Sequence, residues 1–321
     1  MRAISIDSIR DAARSIYEVA VRTPLVPLGP LTPGGPAIFL KLETLQPIGS
    51  FKIRGAYNAV RRLSPETMAG GVWTVSAGNA AQGVALAARR AGVPCSVMVM
   101  DTAPDAKLNA INRLGATIVK ATYDECWRTV EAHASDRMKG HFVHPFDDDD
   151  FISGNGTAGL EIIEDLPDVD AVVAPVGGGG LLAGIGVAFR ALKPDARVYA
   201  AEPETAAPLK RSMDNGKASR FEEWTASFVD GAGGKSVLDT MWPLLHEYVH
   251  ESFVVSLDDA AKAMKLVAER ARVIAEGAAA CAVAAAVSPA MASRGHKNVV
   301  AVVSGGNVDL KKFAQLVGAC S

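Results

Sequence analysis

The chain has 321 residues, 49% hydrophobic and 21% charged, enough for one large domain or two modest ones around a substantial core. Its formal net charge of −2 gives no electrostatic reason to bind nucleic acid or an anionic membrane. The four cysteines, Cys95, Cys126, Cys281 and Cys320, show no CxxC pair and no metal-ligand spacing. They suit a reducing cytoplasm, with Cys320 expected as an exposed free thiol. Arg2, Asp7, Arg10 and Asp11 exclude a secretory signal at the amino end. The uncharged, alanine-rich stretch 277–293 contains Pro289 and is too weakly apolar for a membrane span, which needs about 20 strongly apolar residues.

In chain order, apolar spacing over 7–21 predicts a helix with Asp7 as its cap. The prolines and glycines of 23–36 predict a loop, and 37–42 a strand. A helix follows from Phe51. Strands are expected over 72–76, 95–100 and 117–120, alternating with helices over 79–91, 104–114 and 123–138. Further strands are expected over 171–176, 197–201 and 298–304, again with helices between. Strand and helix alternating throughout define an α/β fold with parallel sheets. The block 70–144 holds four strand candidates and is long enough for a small sheet of its own.

Four stretches carry candidate chemistry. In Pro47-Ile48-Gly49-Ser50-Phe51-Lys52 an extended segment turns into a helix, with Gly49 allowing the turn and Ser50 expected to cap. Lys52 then sits at a helix start, where the dipole disfavours an ammonium, and beside Phe51, which desolvates it. Both effects lower its pKa toward a reactive amine.

Residues Gly177, Gly178, Gly179 and Gly180 follow a strand and open a helix, an arrangement whose bare amides bind a phosphate. The same run satisfies G-x-G-x-x-A through Ala183, with Glu202 ending the next strand, so a nicotinamide-dependent oxidoreductase is the alternative of another class. That fingerprint usually opens its domain, whereas here more than half the chain precedes it. It also leaves Lys52 unexplained. Ser76, Ala77, Gly78, Asn79 and Ala80 form a second strand-to-helix loop, whose amides face the carboxyl edge of a sheet. Finally, Ser304 ends an apolar strand ahead of Gly305, Gly306 and Asn307.

Together these motifs, in this order from Arg22-Thr23-Pro24-Leu25 to Asp309, resemble the pyridoxal-phosphate enzymes of the tryptophan-synthase-β group. Within that group the likeness is to threonine/serine dehydratases and serine racemases. The resemblance implies two domains, each a mostly parallel sheet flanked by helices. The large cofactor-binding one would span 1–69 and 145–321, with 70–144 as the small mobile one. It implies pyridoxal 5′-phosphate held as an imine by Lys52 next to Phe51, with its phosphate on Gly177, Gly178, Gly179 and Gly180. Asn79 would meet the phenolic oxygen, Glu276 the neighbourhood of the ring and Ser304 the pyridine nitrogen. Ser76, Ala77, Gly78, Asn79 and Ala80 would grip the substrate carboxylate.

The activity implied is β-elimination from a small 3-hydroxy amino acid, threonine or serine, giving a 2-oxo acid and ammonia; racemase and threonine synthase are the alternatives within the family. Two positions depart from many relatives. Ala80 replaces a histidine, and Ala77 stands where racemases carry a second serine. Glu202 and Ala206 fall where some members begin a divalent-cation site. Ala207 and Pro208 follow, so the second carboxylate is missing and metal binding is expected to be weak or absent. Asp147, Asp148, Asp149 and Asp150 read as a solvated loop. A homodimer is implied, and with the sequence given ending at Ser321 no appended amino-acid sensor is expected.

Overall fold

A computed structural model describes residues 2–29, 31 and 34–320. Among the described residues ten strands form two sheets. The larger has six strands: β1 (Leu25–Gly29), β2 (Ala37–Leu42), β7 (Ala171–Pro175), β8 (Arg197–Pro203), β9 (Glu251–Val255) and β10 (Asn298–Val303). Their order is β1-β2-β10-β7-β8-β9, parallel except for the edge pair β1–β2. The smaller sheet is all parallel, β5-β4-β3-β6, from β3 (Val72–Val75), β4 (Cys95–Met100), β5 (Thr117–Ala121) and β6 (His141–Phe142).

The helices between are α1 (Ile6–Ala13), α2 (Lys52–Arg61), α3 (Pro65–Ala69), α4 (Asn79–Ala91), α5 (Asp105–Arg113), α6 (Tyr123–Ala132) and α7 (Asp149–Asp165). After them come α8 (Gly180–Leu192), α9 (Pro208–Asn215), α10 (Trp242–Tyr248), α11 (Leu257–Ala271), α12 (Gly277–Ala286), α13 (Pro289–Ala292) and α14 (Leu310–Ala319). The α/β class expected from the alternation is the class observed.

Strand periodicity explains how both faces of the large sheet are covered. Alternate residues of β10 face opposite ways: Val299, Ala301 and Val303 pack with α12, while Val300 and Val302 pack with α8. The alanine run that is too weak for a membrane is thereby explained. Every residue of α12 is buried, and small side chains let it lie close on the sheet. Helix α2 is pinned to α7 by a similar closeness. A methyl group on Gly55 would fall 2.3 Å from the Phe151 ring, so only glycine fits there.

Below that contact Arg54, fully buried, donates to Glu43 at 2.7 and 2.8 Å and to Glu161 at 2.6 and 2.9 Å. Lys41, also buried, joins Glu161 at 2.6 Å. These charges hold α2 against both α7 and the end of β2.

Several local expectations are corrected. Ser5, not Asp7, caps α1 through a reciprocal pair with Ser8, and α1 ends at Ala13. The 23–36 loop contains β1, an antiparallel edge strand with Pro27 exposed and a register shift beyond it. An edge strand tolerates the missing proline N–H. Residues 30, 32 and 33 of that stretch lie outside the described residues. Helix α6 stops at Ala132, where His133 takes a left-handed φ of 54°. β6 supplies the fourth strand expected of the 70–144 block, for which no range is read from the sequence, and β9 is an addition. Cys320 is buried rather than exposed.

Asp147–Asp150 is no solvated run. Asp147 is buried against Arg2 and Thr240, Asp148 caps α7 by accepting the Phe151 amide, and Asp150 pairs with Arg62.

Candidate active site

The carboxyl ends of β2, β3, β7 and β10 converge, and each is followed by one of the motif loops. Lys52 is the first residue of α2. Its cap position is Phe51, in helical conformation, with no side-chain cap. Ser50 therefore does not cap. Instead it bridges Gly305, and its hydroxyl is buried without a hydrogen-bond partner. Phe51 N–H donates to the Ser304 carbonyl at 3.0 Å, tying the lysine turn to the end of β10.

Lys52 Nζ lies 5.3 and 5.4 Å from the ring centroids of Phe51 and Phe151 and donates to the Pro145 carbonyl at 2.6 Å. Burial pushes its pKa down to about 8, although Glu276 pulls the other way.

The glycine loop lies beside it, joined through Phe146. A methyl on Gly178 would sit 2.1 Å from the Phe146 ring, and Gly179 opens α8 with φ +93°, so side chains are excluded at both. Among the described residues, the Ala183 amide alone from Gly177 to Ala183 has a backbone partner outside the helix, the Gly179 carbonyl. The rest of that turn offers free N–H groups at a helix start.

Beyond it, a methyl on Gly177 would meet the Gly231 carbonyl at 2.8 Å, and one on Gly231 would meet Glu276 Oε1 at 3.3 Å. The ring of contacts closes at Glu276, which is buried at the start of α12 rather than solvated. It accepts from Asn79 Nδ2 at 2.8 Å and from the Asn307 amide at 3.2 Å. Burial, reinforced by Asp230, pushes its carboxyl up to about 7. Asn307 Nδ2 in turn donates to Asn79 Oδ1 at 2.8 Å.

Asn79 is thus no helix cap. Gly78 holds that position, and Ser76 Oγ accepts its amide at 3.1 Å. The first-turn amides of Asn79, Ala80 and Ala81 have no backbone partner among the described residues, leaving donors suited to a carboxylate. Ala77 is partly buried between Ser76 and Gly78, and Ala80 is buried. Ser304 is buried at the end of β10.

These residues form one group; Glu202 and Ala206 do not join it. The Glu202 oxygens accept from Leu209 N–H at 2.7 Å, Lys210 N–H at 2.8 Å and Ser252 Oγ at 2.6 Å, so the carboxylate caps α9. Ala206 is buried just before α9.

Sequence reasoning placed Asn307 in a candidate stretch without a role, and missed Gly231 and the 144–147 segment as members. Asn307 follows directly on Ser304-Gly305-Gly306, and Gly231, Gly233 and Gly234 form a glycine-rich run, so both carried a signal. The carbonyl of Pro145 carried none.

A desolvated lysine amine, a helix start with free amides and the unpartnered Ser50 hydroxyl fit a phosphate-bearing aldehyde. Residues 16–305 match the family described as pyridoxal-phosphate dependent enzymes, and the chain belongs to that family. The L-threonine ammonia-lyase of Thermotoga maritima is 39% identical over 317 residues, 98% of this chain and 78% of that one. The serine racemase of Homo sapiens is 40% identical over 309 residues, 94% and 89% of the two chains. Maize serine racemase superposes with a TM-score of 0.89 at 32% identity, covering 98% of this chain and 96% of that one. The processed threonine deaminase isoform 2 of Solanum lycopersicum gives 0.87 at 33% identity, covering 98% and 94%.

The cofactor is therefore pyridoxal phosphate, and the fold is that of fold type II enzymes. The dinucleotide reading of the glycine run and Glu202 gives way to this assignment. Among the described residues no helix is long and apolar enough to cross a membrane.

Proposed function

We propose that the protein is a threonine/serine ammonia-lyase, converting a small 3-hydroxy amino acid to a 2-oxo acid and ammonia. One observation carries this over the serine racemase reading that the relatives equally allow: Ala77, in the loop after β3, has no proton to give. Racemisation needs an acid on the face of Cα away from the base.

Lys52 is the residue that would hold the cofactor, and its amine is the base that would take the Cα proton. An amine with a pKa near 8 is a competent base close to neutral pH. When bound, the cofactor supplies a ring that spreads the charge left at Cα. Amides of the Gly177–Gly180 turn would hold its phosphate, with Phe51 alongside. Asn79 keeps one free N–H beyond its bond to Glu276 for the phenolic oxygen. The Ser304 hydroxyl, too weak an acid to protonate a pyridine, would be a neutral partner for the ring nitrogen, which favours prompt loss of the β-hydroxyl.

Ser76 and the free amides of α4 bind the substrate carboxylate. The four-stranded sheet, built from 72–142, moves as the small domain of 70–144. We place the protein in the cytoplasm, as a homodimer, consistent with its free buried cysteines.

The test is twofold. Borohydride treatment of the holoenzyme should fix the cofactor on Lys52, found by peptide mass spectrometry. L-threonine and L-serine should yield 2-oxobutanoate and pyruvate. Label on another lysine, or no 2-oxo acid from either substrate, would refute the proposal.

A further inference from the structure

The Lys52 amine must spend part of each cycle free of cofactor, and it then needs an acceptor within reach. Its Nζ donates to the carbonyl of Pro145 at 2.6 Å. That carbonyl belongs to the same planar peptide as the Phe146 N–H, and the two point in opposite directions. The Phe146 N–H donates to His144 Nδ1 at 3.3 Å, and the Asp147 N–H donates to the same atom at 2.7 Å. We infer that the Pro145 carbonyl is the acceptor that orients the free Lys52 amine, and that His144, by holding the Phe146 amide, is the positioning residue that aims it. The inference rests on the reading of Lys52 as the cofactor-carrying base.

The histidine is built for this task. Its Nε2 lies 3.2 Å from the Val130 carbonyl, which only an N–H can satisfy, so Nδ1 is bare and accepts two amides. The ring stacks on His133 at 4.4 Å and meets Phe146 edge-on at 4.6 Å. Burial, then His133, pushes its pKa down to about 3, so the accepting form persists across the working range. Proline at 145 removes one backbone freedom, leaving the peptide plane to be set by the two amide bonds. Asp147 fixes the far end through Thr240 Oγ1 at 2.5 Å and Arg2 Nη1 at 2.6 Å.

The potential metal cluster of His133, His144 and Asp147 is accordingly spoken for by protein hydrogen bonds. The titratable groups around Lys52 are Glu276 at the start of α12 and His144, neutral, on this segment. Helix α7 presents the neutral Phe151 ring, and Arg54 is committed to Glu43 and Glu161.

The test uses cofactor-free protein. Pulsed reductive methylation across a pH series, read at the Lys52 peptide by mass spectrometry, gives the amine's titration midpoint. In His144→Leu the carbonyl loses its aim, the ammonium loses its acceptor, and the midpoint should fall by about one pH unit. His144→Asn, whose side-chain oxygen can accept the same amides as an Asx turn does, should restore it. An unchanged midpoint in both variants, with Lys52 still the residue labelled by borohydride in the holoenzyme, would overturn this inference alone. Label elsewhere would overturn the functional reading and this inference with it.

Should His144→Leu fail to fold, nitrogen NMR of wild-type His144 decides. Nδ1 without a proton and Nε2 with one from pH 8 to pH 5 is expected. A proton on Nδ1 would overturn the inference.

Discussion

Replacing Lys52 with methionine should abolish activity and stabilise the cofactor-free protein. Wild-type Lys52 is partly buried, and its pKa falls from the ordinary 10.5 to about 8. The charged form is thus harder to hold in the folded state than in the unfolded one, by about 3 kcal/mol. Methionine keeps an unbranched apolar stem, so packing against Phe51 and Phe151 is largely retained. The Pro145 carbonyl loses its donor, at about 1 kcal/mol. The net gain expected at pH 7 is about 2 kcal/mol.

The sign fixes a pH dependence. Below pH 8 both folded and unfolded wild-type chains carry the proton, and the penalty is fully present. Between about 8 and 10.5 the unfolded chain binds more protons, so wild-type stability rises relative to the variant. Urea unfolding of both cofactor-free proteins at pH 7 and pH 10 measures this. The advantage of Lys52→Met should fade to within about 1 kcal/mol at the higher pH. A variant less stable than wild type at pH 7, or an advantage independent of pH, would refute the reasoning.

Three further outcomes are expected. Arg54→Leu leaves Glu43 buried with only Thr23 and Gln46 as partners, and should cost about 3–5 kcal/mol in thermal or urea unfolding. Adding Glu43→Gln should recover part of that loss, and wild-type stability in the single variant would contradict the network's role. Ser304→Asp should slow 2-oxo acid formation with cofactor still bound, by holding a proton on the ring nitrogen; unchanged turnover would show that this side chain does not face the ring. Exhaustive EDTA treatment should leave turnover little changed, because the Glu202 oxygens are committed to α9 and Ser252. A large loss restored by Mg²⁺ would mean that other oxygens complete a cation site.

The sequence showed the parts of the site that lie next to one another in the chain. Lys52 stands at a turn into a helix, the glycine run follows a fully apolar strand, and Ser304 ends one, so periodicity and punctuation marked all three. What it hid depends on contacts between distant segments. Ser50 looks like a cap and is instead drawn to Gly305 by the lysine turn's docking on β10. Four successive aspartates look solvated, but Arg2 and Arg62 reach them from far away in sequence. β1 is hidden by Pro27, which an edge strand accepts. Glu276 owes its altered pKa to burial and to Asp230, 46 positions earlier, which no local pattern encodes.

The central claim is that Lys52 removes the Cα proton in a site lacking an acid on the opposite face. It is tested most directly by incubating the wild-type holoenzyme with L-serine and measuring pyruvate and D-serine in the same samples. Pyruvate should accumulate with D-serine at trace level, and Ala77→Ser should raise the D-serine share. D-serine formed by the wild type as fast as pyruvate would contradict the account, since another residue would then be returning the proton from the far side.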